Sequence, residues 1–452
     1  MRARSATAIV GAITAIGVLL AASGCGSNAE SDGNTAKPAD IRLYGTDGNM
    51  ANSFGEALKD SPGVLAGMKG TTPLTPLSED FKRRVKALDP TLTDFNYAGE
   101  SYDAVVIAAL AAEAGKSTEG GSIAKQIIGV TTGDNVCDSV AACLNAARSG
   151  KSFKYRGISL RGSGFTSVGE PSSAMYGVLN FGTTNTIDDA KTEFVGAGDE
   201  KTEDKTPPPA AGNAGKTPKP PLKYGLLLPK TGALGFMGAP MFAASKLAIK
   251  EINEAGGVLG QPVQVEEGDD GTNPDVAKAT AAQFISKGVA VIIGAGASGV
   301  TKAVIPQVAQ AGRVIISPSA TSDELTKFDD KGFFFRTSPP DVLQAKAVAD
   351  IIMRDGHTKV AIIARDDTYG NGLAQGVRAD LTAAGIKPDN ILIKMYEAKD
   401  KYEKDDGPRL FNKIGTDIKA FGATGILVVG FDESALAIKA LVTQGVKQGP
   451  KS

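Results

Sequence analysis

Glycines and a serine stand close together in Gly294-Ala-Gly-Ala-Ser-Gly299, between an apolar run at 289–293 and an amphipathic one at 300–311. A glycine-rich loop that opens a helix presents backbone N–H groups with no intrahelical partner, and so offers a place for an anion. Ser298 there, and Thr321 in Ser317-Pro-Ser-Ala-Thr-Ser-Asp-Glu324, add hydroxyl donors. Tyr44-Gly-Thr-Asp-Gly48 has the opposite character. Asp47 follows a short strand in a glycine-flanked turn, which sets a carboxylate at a sheet edge where a cation can reach it. Each residue also has a plainer use. Thr321 with Glu324 makes a Thr-x-x-Glu capping box. Ser298 could cap the helix near Val300, Tyr369 could be core, and Asp47 could stabilise its turn.

The glycine loop also matches G-x-G-x-x-G after a strand and before a helix, the dinucleotide fingerprint. That strand is the third of its run, and the next, at 314–316, ends in Ser317 where a ribose-binding Asp or Glu belongs. An NAD-dependent enzyme is therefore the minor reading. His357, the single histidine, sits in the polar turn Asp355-Gly-His-Thr, away from any serine-nucleophile motif. There is no GxSxG, no HExxH and no metal-ligand spacing, so the expectation is a non-enzyme without cofactor or metal. Lys and Arg number 49 against 50 Asp and Glu, which leaves no basic field to draw nucleic acid.

The first residues read as an export leader. Arg2 and Arg4 precede an uncharged apolar run at 6–22, short for a membrane span, and Ala22-Ser23-Gly24-Cys25 follows. Small residues directly before a cysteine resemble a bacterial lipobox, which would make Cys25 the acylated first residue of a lipoprotein. The alternative is an ordinary signal peptide with an incidental cysteine. Residues 1–24 are then leader and 25–40, rich in Asn, Ser, Asp and Gly, a flexible tether. Placement outside the cytoplasmic membrane permits disulfides. Cys137 and Cys143 are spaced for a local bridge, or for two buried thiols on one helix.

A chain of 452 residues favours two medium cores over one large one. From 224 onward strands and helices alternate. Strands are expected at 224–228, 264–267, 289–293, 314–316, 360–364, 391–396 and 426–429, with amphipathic helices between them. Pro339-Pro340 separates two βαβ runs, which implies an α/β fold of two Rossmann-like parallel-sheet lobes. The front half is less regular: strands at 41–45, 64–68 and 176–181, and helices at 81–88, 102–114, 124–128 and 139–147. A proline-rich stretch at 196–222 reads as a solvated linker. The run ends on a helix at 434–445 without the strand a βαβ run delivers, and the front half starts on a strand without its helix. Joining the end to Ile41 repairs both, so a circular permutation is expected, with truncation of a longer fusion as the alternative.

Read in the order 223–452 then 41–190, the chain resembles the periplasmic binding proteins of fold type I, in the leucine/isoleucine/valine-binding branch that serves ABC importers. The matching stretches are Leu228-Pro-Lys-Thr-Gly-Ala233, Gly294-Ala-Gly-Ala-Ser-Gly299, Ser317-Pro-Ser-Ala-Thr-Ser-Asp-Glu324, Asp367-Thr-Tyr-Gly-Asn-Gly372, Tyr44-Gly-Thr-Asp-Gly48 and Tyr97-Ala-Gly-Glu-Ser-Tyr-Asp103. The resemblance implies one lobe from 223–338 plus 68–172 and another from 339–452 plus 41–67 plus 173–195. A hinge of three crossings is implied near 338–341, 64–70 and 172–176. It further implies that Ala297, Ser298, Ser319, Ala320 and Thr321 hold a ligand's α-carboxylate, that Tyr369 packs from the other lobe, and that Asp47 takes the ammonium. Met237, Phe236 and Tyr97 are candidates for the side-chain pocket. The disulfide pattern often seen near the family's first helices is absent, and Cys137 and Cys143 carry no function over. The function implied is that of a monomeric, lipid-anchored solute-binding protein on the outer face of the membrane, delivering an amino acid to an ABC permease. A ligand-sensing receptor module of the same fold is the alternative.

Overall fold

A computed structural model describes residues 41–210, 219–399 and 401–446. The leader, Cys25 and the tether lie outside the described residues, as do 211–218 of the linker and the last residues, whose expected proximity to Ile41 is therefore not described. Among the described residues no helix is long and apolar enough to cross a membrane.

Two sheets organise the chain. In the five-stranded sheet the order is Phe334–Arg336, Val314–Ser317, Val291–Gly294, Lys223–Leu228, Gln264–Asp269, all parallel. Counted along the chain this is 2-1-3-4-5, the doubly wound order, with its switch point between the first strand and the third. Buried on both faces, these strands are continuous apolar runs such as Val291-Ile-Ile and Val314-Ile-Ile. The seven-stranded sheet runs Ile391–Glu397, Val360–Asp366, Gly425–Val429, Arg42–Gly45, Lys69–Pro73, Ser173–Asn180, Glu193–Gly198. Its first five strands are parallel, and Ser173–Asn180 runs antiparallel to both of its neighbours, Lys69–Pro73 and Glu193–Gly198. Counted from Val360, the parallel part again reads 2-1-3-4-5. Its fourth and fifth places are filled from the front of the chain, with Arg42 opposite Gly425 and Tyr44 opposite Leu427.

Asp355, at the C-cap of the helix Asp341–Arg354, ties the front segment down. Its carboxylate accepts from Arg42 Nη1 at 2.9 Å, Tyr44 hydroxyl at 2.7 Å and Lys69 Nζ at 3.0 Å. On the five-stranded side the front half contributes the helix Ala98–Gly115, apolar and buried nearly all round, packed against Gly235–Glu254. Arg336, 1% exposed, forms an ion pair with Glu170 and donates to the carbonyls of Ala320 and Ser322.

Three local expectations change. Residues 64–68 form turns, because Gly63 and Gly67 take φ of 74° and 88°; the strand follows at Lys69–Pro73. That strand stays in the seven-stranded sheet, so the chain crosses between sheets after Pro73 rather than near 64–70. Gly196 and Gly198 belong to the strand Glu193–Gly198, paired with Ser173–Asn180, so the stretch read as linker begins inside the sheet; tertiary pairing outweighs the glycines' low strand propensity. Further on, Gln126 Nε2 donates to the carbonyl of Pro209 at 2.8 Å. The pair Cys137 and Cys143 is bridged, with one cysteine on the strand Asn135–Cys137 and the other on the helix Val140–Arg148.

Candidate functional site

Ligands of doubly wound sheets bind beyond the carboxyl ends of the strands at the switch point, and here two such ends face each other. From the five-stranded side come Leu234 and Met237 after the first strand, Gly296, Ala297 and Ser298 after the third, Ser319 after the fourth, and Tyr97 at the start of the helix Ala98–Gly115. From the seven-stranded side come Tyr369 after its first strand, Phe431 after its third, and Asp47 with Gly48 after its fourth. The space they enclose is about 20 Å³ for the centre of a water-sized sphere, room for about one water. Larger surface recesses, such as one of about 400 Å³ beside Lys69 and Lys191, do not bring the two sheets' strand ends together.

Gly294 explains how the anion-side loop can form. Its φ is +136°, and a Cβ there would lie 1.8 Å from the carbonyl oxygen of Leu227 on the neighbouring strand. Beyond it, Gly296 N–H donates to the buried Asp270 at 2.7 Å; burial pushes that carboxyl up to about 7. Gly296 is therefore engaged, and the N–H groups left for an anion are those of the first turn of the helix Ser298–Gln310. Ser317 hydroxyl donates to Ala295 carbonyl and Ser319 hydroxyl to Gly296 carbonyl, which laces the two loops together. Ser298 Oγ accepts from Ser322 N–H at 3.2 Å, leaving its own proton to donate. Ser298 is thus the first residue of its helix rather than its cap, which is Ala297. The capping-box reading of Thr321 also fails: Ser322 caps the helix Asp323–Thr326, and Thr321 Oγ1 is buried with no hydrogen-bond partner among the described residues.

On the cation side Asp47 is 5% exposed and its carboxylate serves no turn; Asn49 does that, accepting from Thr46 N–H. Asp47 Oδ1 accepts from Tyr369 hydroxyl and Oδ2 from Tyr97 hydroxyl, each at 2.7 Å. Burial pushes its carboxyl up, while the two phenols work the other way. Tyr369 is buried as a core residue is, yet its hydroxyl meets both Asp47 and Thr46. The bond from Tyr97 to Asp47 spans the cleft, as does that from Ser322 hydroxyl to Thr368 carbonyl at 3.0 Å, so the cleft is closed.

Seven of the ten residues expected at the site line this space: Asp47, Tyr97, Met237, Ala297, Ser298, Ser319 and Tyr369. Ala320 and Thr321 stand behind the wall. Ala320 is fully buried, with its carbonyl on Arg336 and Ser338, and Thr321 carbonyl accepts from Asp341 N–H. Phe236 gives way to Leu234. Phe431 was missed, since an apolar residue after a strand reads as core. Asp341 was missed as well. It is 1% exposed, neither carboxylate oxygen has a hydrogen-bond partner among the described residues, and burial followed by the charge of Asp47 raises it well above the usual range. Thr321 lies near enough to ease that charge without reaching hydrogen-bond geometry. The Tyr176 hydroxyl, with no hydrogen-bond partner among the described residues, is raised by burial first and then by the charges of Asp341 and Asp47. An acid in the first turn after Pro339-Pro340 has an ordinary helix-dipole explanation, which hid it.

Residues 221–450 match the family model described as periplasmic binding protein. A Leu/Ile/Val-binding protein of Rhizobium johnstonii is 33% identical over 168 residues, 36% of this chain and 45% of that protein. A Leu/Ile/Val-binding protein homologue of Brucella abortus is 31% identical over 227 residues, 49% of this chain and 58% of that one. The chain spans about half the length of the curated relatives it matches. Among solved structures, the substrate-binding protein of a branched-chain amino acid transporter from Streptococcus pneumoniae, in complex with isoleucine, aligns with a TM-score of 0.38. It is 22% identical over 48% of this chain and 68% of that one.

Proposed function

The chain belongs to the periplasmic binding protein family, and from that membership we propose that it is the solute-binding component of an ABC importer, taking a small zwitterionic amino acid into its interlobe cleft. The observation that carries this reading is the division of charge across the cleft. Helix-start N–H groups and the hydroxyl of Ser298 come from the five-stranded side, and Asp47 from the other. Ammonium and carboxylate of one molecule would be held by opposite lobes, so such a ligand binds the closed form better than the open one and shifts the equilibrium toward it. Asp341 does not line the cavity, but it is buried with neither carboxylate oxygen hydrogen-bonded among the described residues, and its charge and that of Asp47 act on each other. No covalent chemistry is proposed, in keeping with relatives described as binding proteins. Relatives named for leucine, isoleucine and valine make the branched-chain amino acids the first ligands to test.

The anchor at Cys25 and delivery to a permease from the outer face of the membrane belong to the same proposal. So does a permuted order, in which 41–198 completes the fold begun at 223. Its support is the 2-1-3-4-5 order of the second sheet, whose fourth strand supplies Asp47.

Calorimetric titration of the full chain with leucine, isoleucine, valine and alanine tests the assignment, beside benzoate and NAD. Saturable binding of an amino acid is expected. Asp47→Ala should cost about 2–5 kcal/mol, the range for truncating one partner of a buried charge pair. Binding of benzoate alone would remove the ammonium pole, and binding of NAD alone would defeat the transport reading.

A further inference from the structure

Resting on that reading of the cleft, we propose that Arg365 is a positioning residue that sets the aromatic wall of the ligand site. It lies on the strand Val360–Asp366, is 5% exposed, and does not line the cavity itself. Two routes lead from its guanidinium to Tyr369.

The first runs through rings. The guanidinium carbon sits 3.7 Å from the centroid of Phe431, and Phe431 stacks on Tyr369 at 5.5 Å with an interplanar angle of 18°. Cation, phenyl and phenol form one column, and the last member donates to Asp47. The second runs through backbone. Arg365 Nε donates to Asp367 Oδ2 at 2.5 Å, while Asp367 Oδ1 accepts from the N–H groups of Tyr369 and Gly370. Asp367 thus caps the helix Thr368–Ala383 on which Tyr369 rides.

The remaining arm of the guanidinium anchors the column. Arg365 Nη1 donates to Glu433 Oε1 at 2.9 Å, and the same oxygen accepts from Tyr396 hydroxyl and from Phe431 N–H. One planar cation therefore fixes the helix cap and the backbone of Phe431 while covering the ring of Phe431. A lysine ammonium carries the charge but lacks the plane and the divergent donors.

The test reads Tyr369 directly, so it stands whether or not an amino acid proves to be the ligand. The full chain is labelled with 3-fluorotyrosine, and the Tyr369 fluorine signal is assigned by Tyr369→Phe. Arg365→Lys is expected to move that signal and to leave those of Tyr224 and Tyr155 in place. It should also weaken L-leucine binding on the order of tenfold, as loss of a charge-assisted contact does. Glu433→Gln loosens the guanidinium without removing it, and should move the Tyr369 signal in the same direction by less; it decides the matter if Arg365→Lys does not fold. An unmoved Tyr369 signal in the folded variants overturns the proposal. A moved signal with unchanged leucine affinity overturns it too, since the wall would then be set without consequence. If the wild-type chain binds none of leucine, isoleucine, valine and alanine, the zwitterion reading falls and the fluorine signal alone decides the role of Arg365.

Discussion

The hydroxyl of Tyr97, on the five-stranded side, donates to the carboxylate of Asp47, on the seven-stranded side, at 2.7 Å across the closed cleft. A hydrogen bond to a charged group contributes about 1.5–3 kcal/mol net, so this contact biases the lobes toward closure without a ligand. Tyr97→Phe keeps the ring that lines the cavity and removes the bond. The free variant should be more open, with a larger radius of gyration by small-angle scattering, and ligand should restore the compact form. Identical scattering from free wild type and variant would show that the phenol does not hold the cleft shut.

Asp341 is buried, and neither of its carboxylate oxygens has a hydrogen-bond partner among the described residues. Its folded pKa is raised above the unfolded value, by burial first and by Asp47 second, with Asp323 adding to the rise and Arg336 opposing it. The native state then binds more protons than the unfolded chain, and stability falls as pH rises above the ordinary carboxylate range. Asp341→Leu, of similar size, removes the acid together with its unsatisfied oxygens. The ligand-free variant should be more stable at pH 7 by about 1–3 kcal/mol, the penalty for an unsatisfied buried group, and should lose amino-acid affinity. Denaturant unfolding checks the first outcome and calorimetry the second. A variant less stable than wild type at pH 7 would contradict the unpaired carboxylate.

Ligand affinity should also depend on pH, in a defined direction. Burial raises Asp47 even though Tyr97 and Tyr369 donate to it. An ammonium needs the ionised form, so binding should weaken on acidification, beginning above the usual aspartate pKa of about 3.9. Titrations from neutral pH downward should show proton release on binding wherever Asp47 is partly protonated in the free protein. Affinity that stays flat into the ordinary carboxylate range would rule out a raised acid at the cationic pole.

Much of the site was legible because doubly wound sheets present their loops in a fixed way. Ser298, Ser319, Tyr369 and Asp47 all follow a strand's carboxyl end, where both pattern and chemistry can be read. What stayed hidden had a sufficient local explanation. Asp341 looked like a helix-dipole acid and Phe431 like core. Thr321 satisfied a capping box on paper, while Ser322, one residue on, does the capping. The strand Glu193–Gly198 was invisible because its partner, not its composition, makes it a strand. Residues 64–68 read as a strand by their apolar residues alone, but Gly63 and Gly67 take positive φ and turn the chain there.

The bridge between Cys137 and Cys143 closes a sequence separation of 6, and neither cysteine lines the cleft. Loop-closure entropy for so short a loop is about 2 kcal/mol. Replacing both cysteines with serine should lower stability by roughly that amount and leave ligand affinity unchanged. Thermal unfolding beside titration tests this, and a loss of affinity would mean that the bridge reaches the site.

Asp355 gives the sharpest test of how the front segment is held. Burial raises its carboxyl, but Tyr44, Lys69 and Arg42 together outweigh that and keep it below the usual range. All three donors come from the front of the chain, and the acid from the helix Asp341–Arg354. The group is partly exposed, with 15% of its side chain accessible, so Asp355→Ala should cost about 1–3 kcal/mol at pH 7, less than a fully buried pair. A depressed folded pKa means this stabilisation is present above the unfolded value and is lost as pH falls through the folded one. The gap between variant and wild type should therefore close below about pH 4. Hydrogen exchange should localise the effect: the amides of Leu43 and Tyr44, in the strand that leads to Asp47, should lose protection, while those of Ile292 and Ile315 keep theirs. Uniform loss across both sheets would mean that Asp355 supports the whole fold rather than the seating of this strand, and that the strand has another anchor.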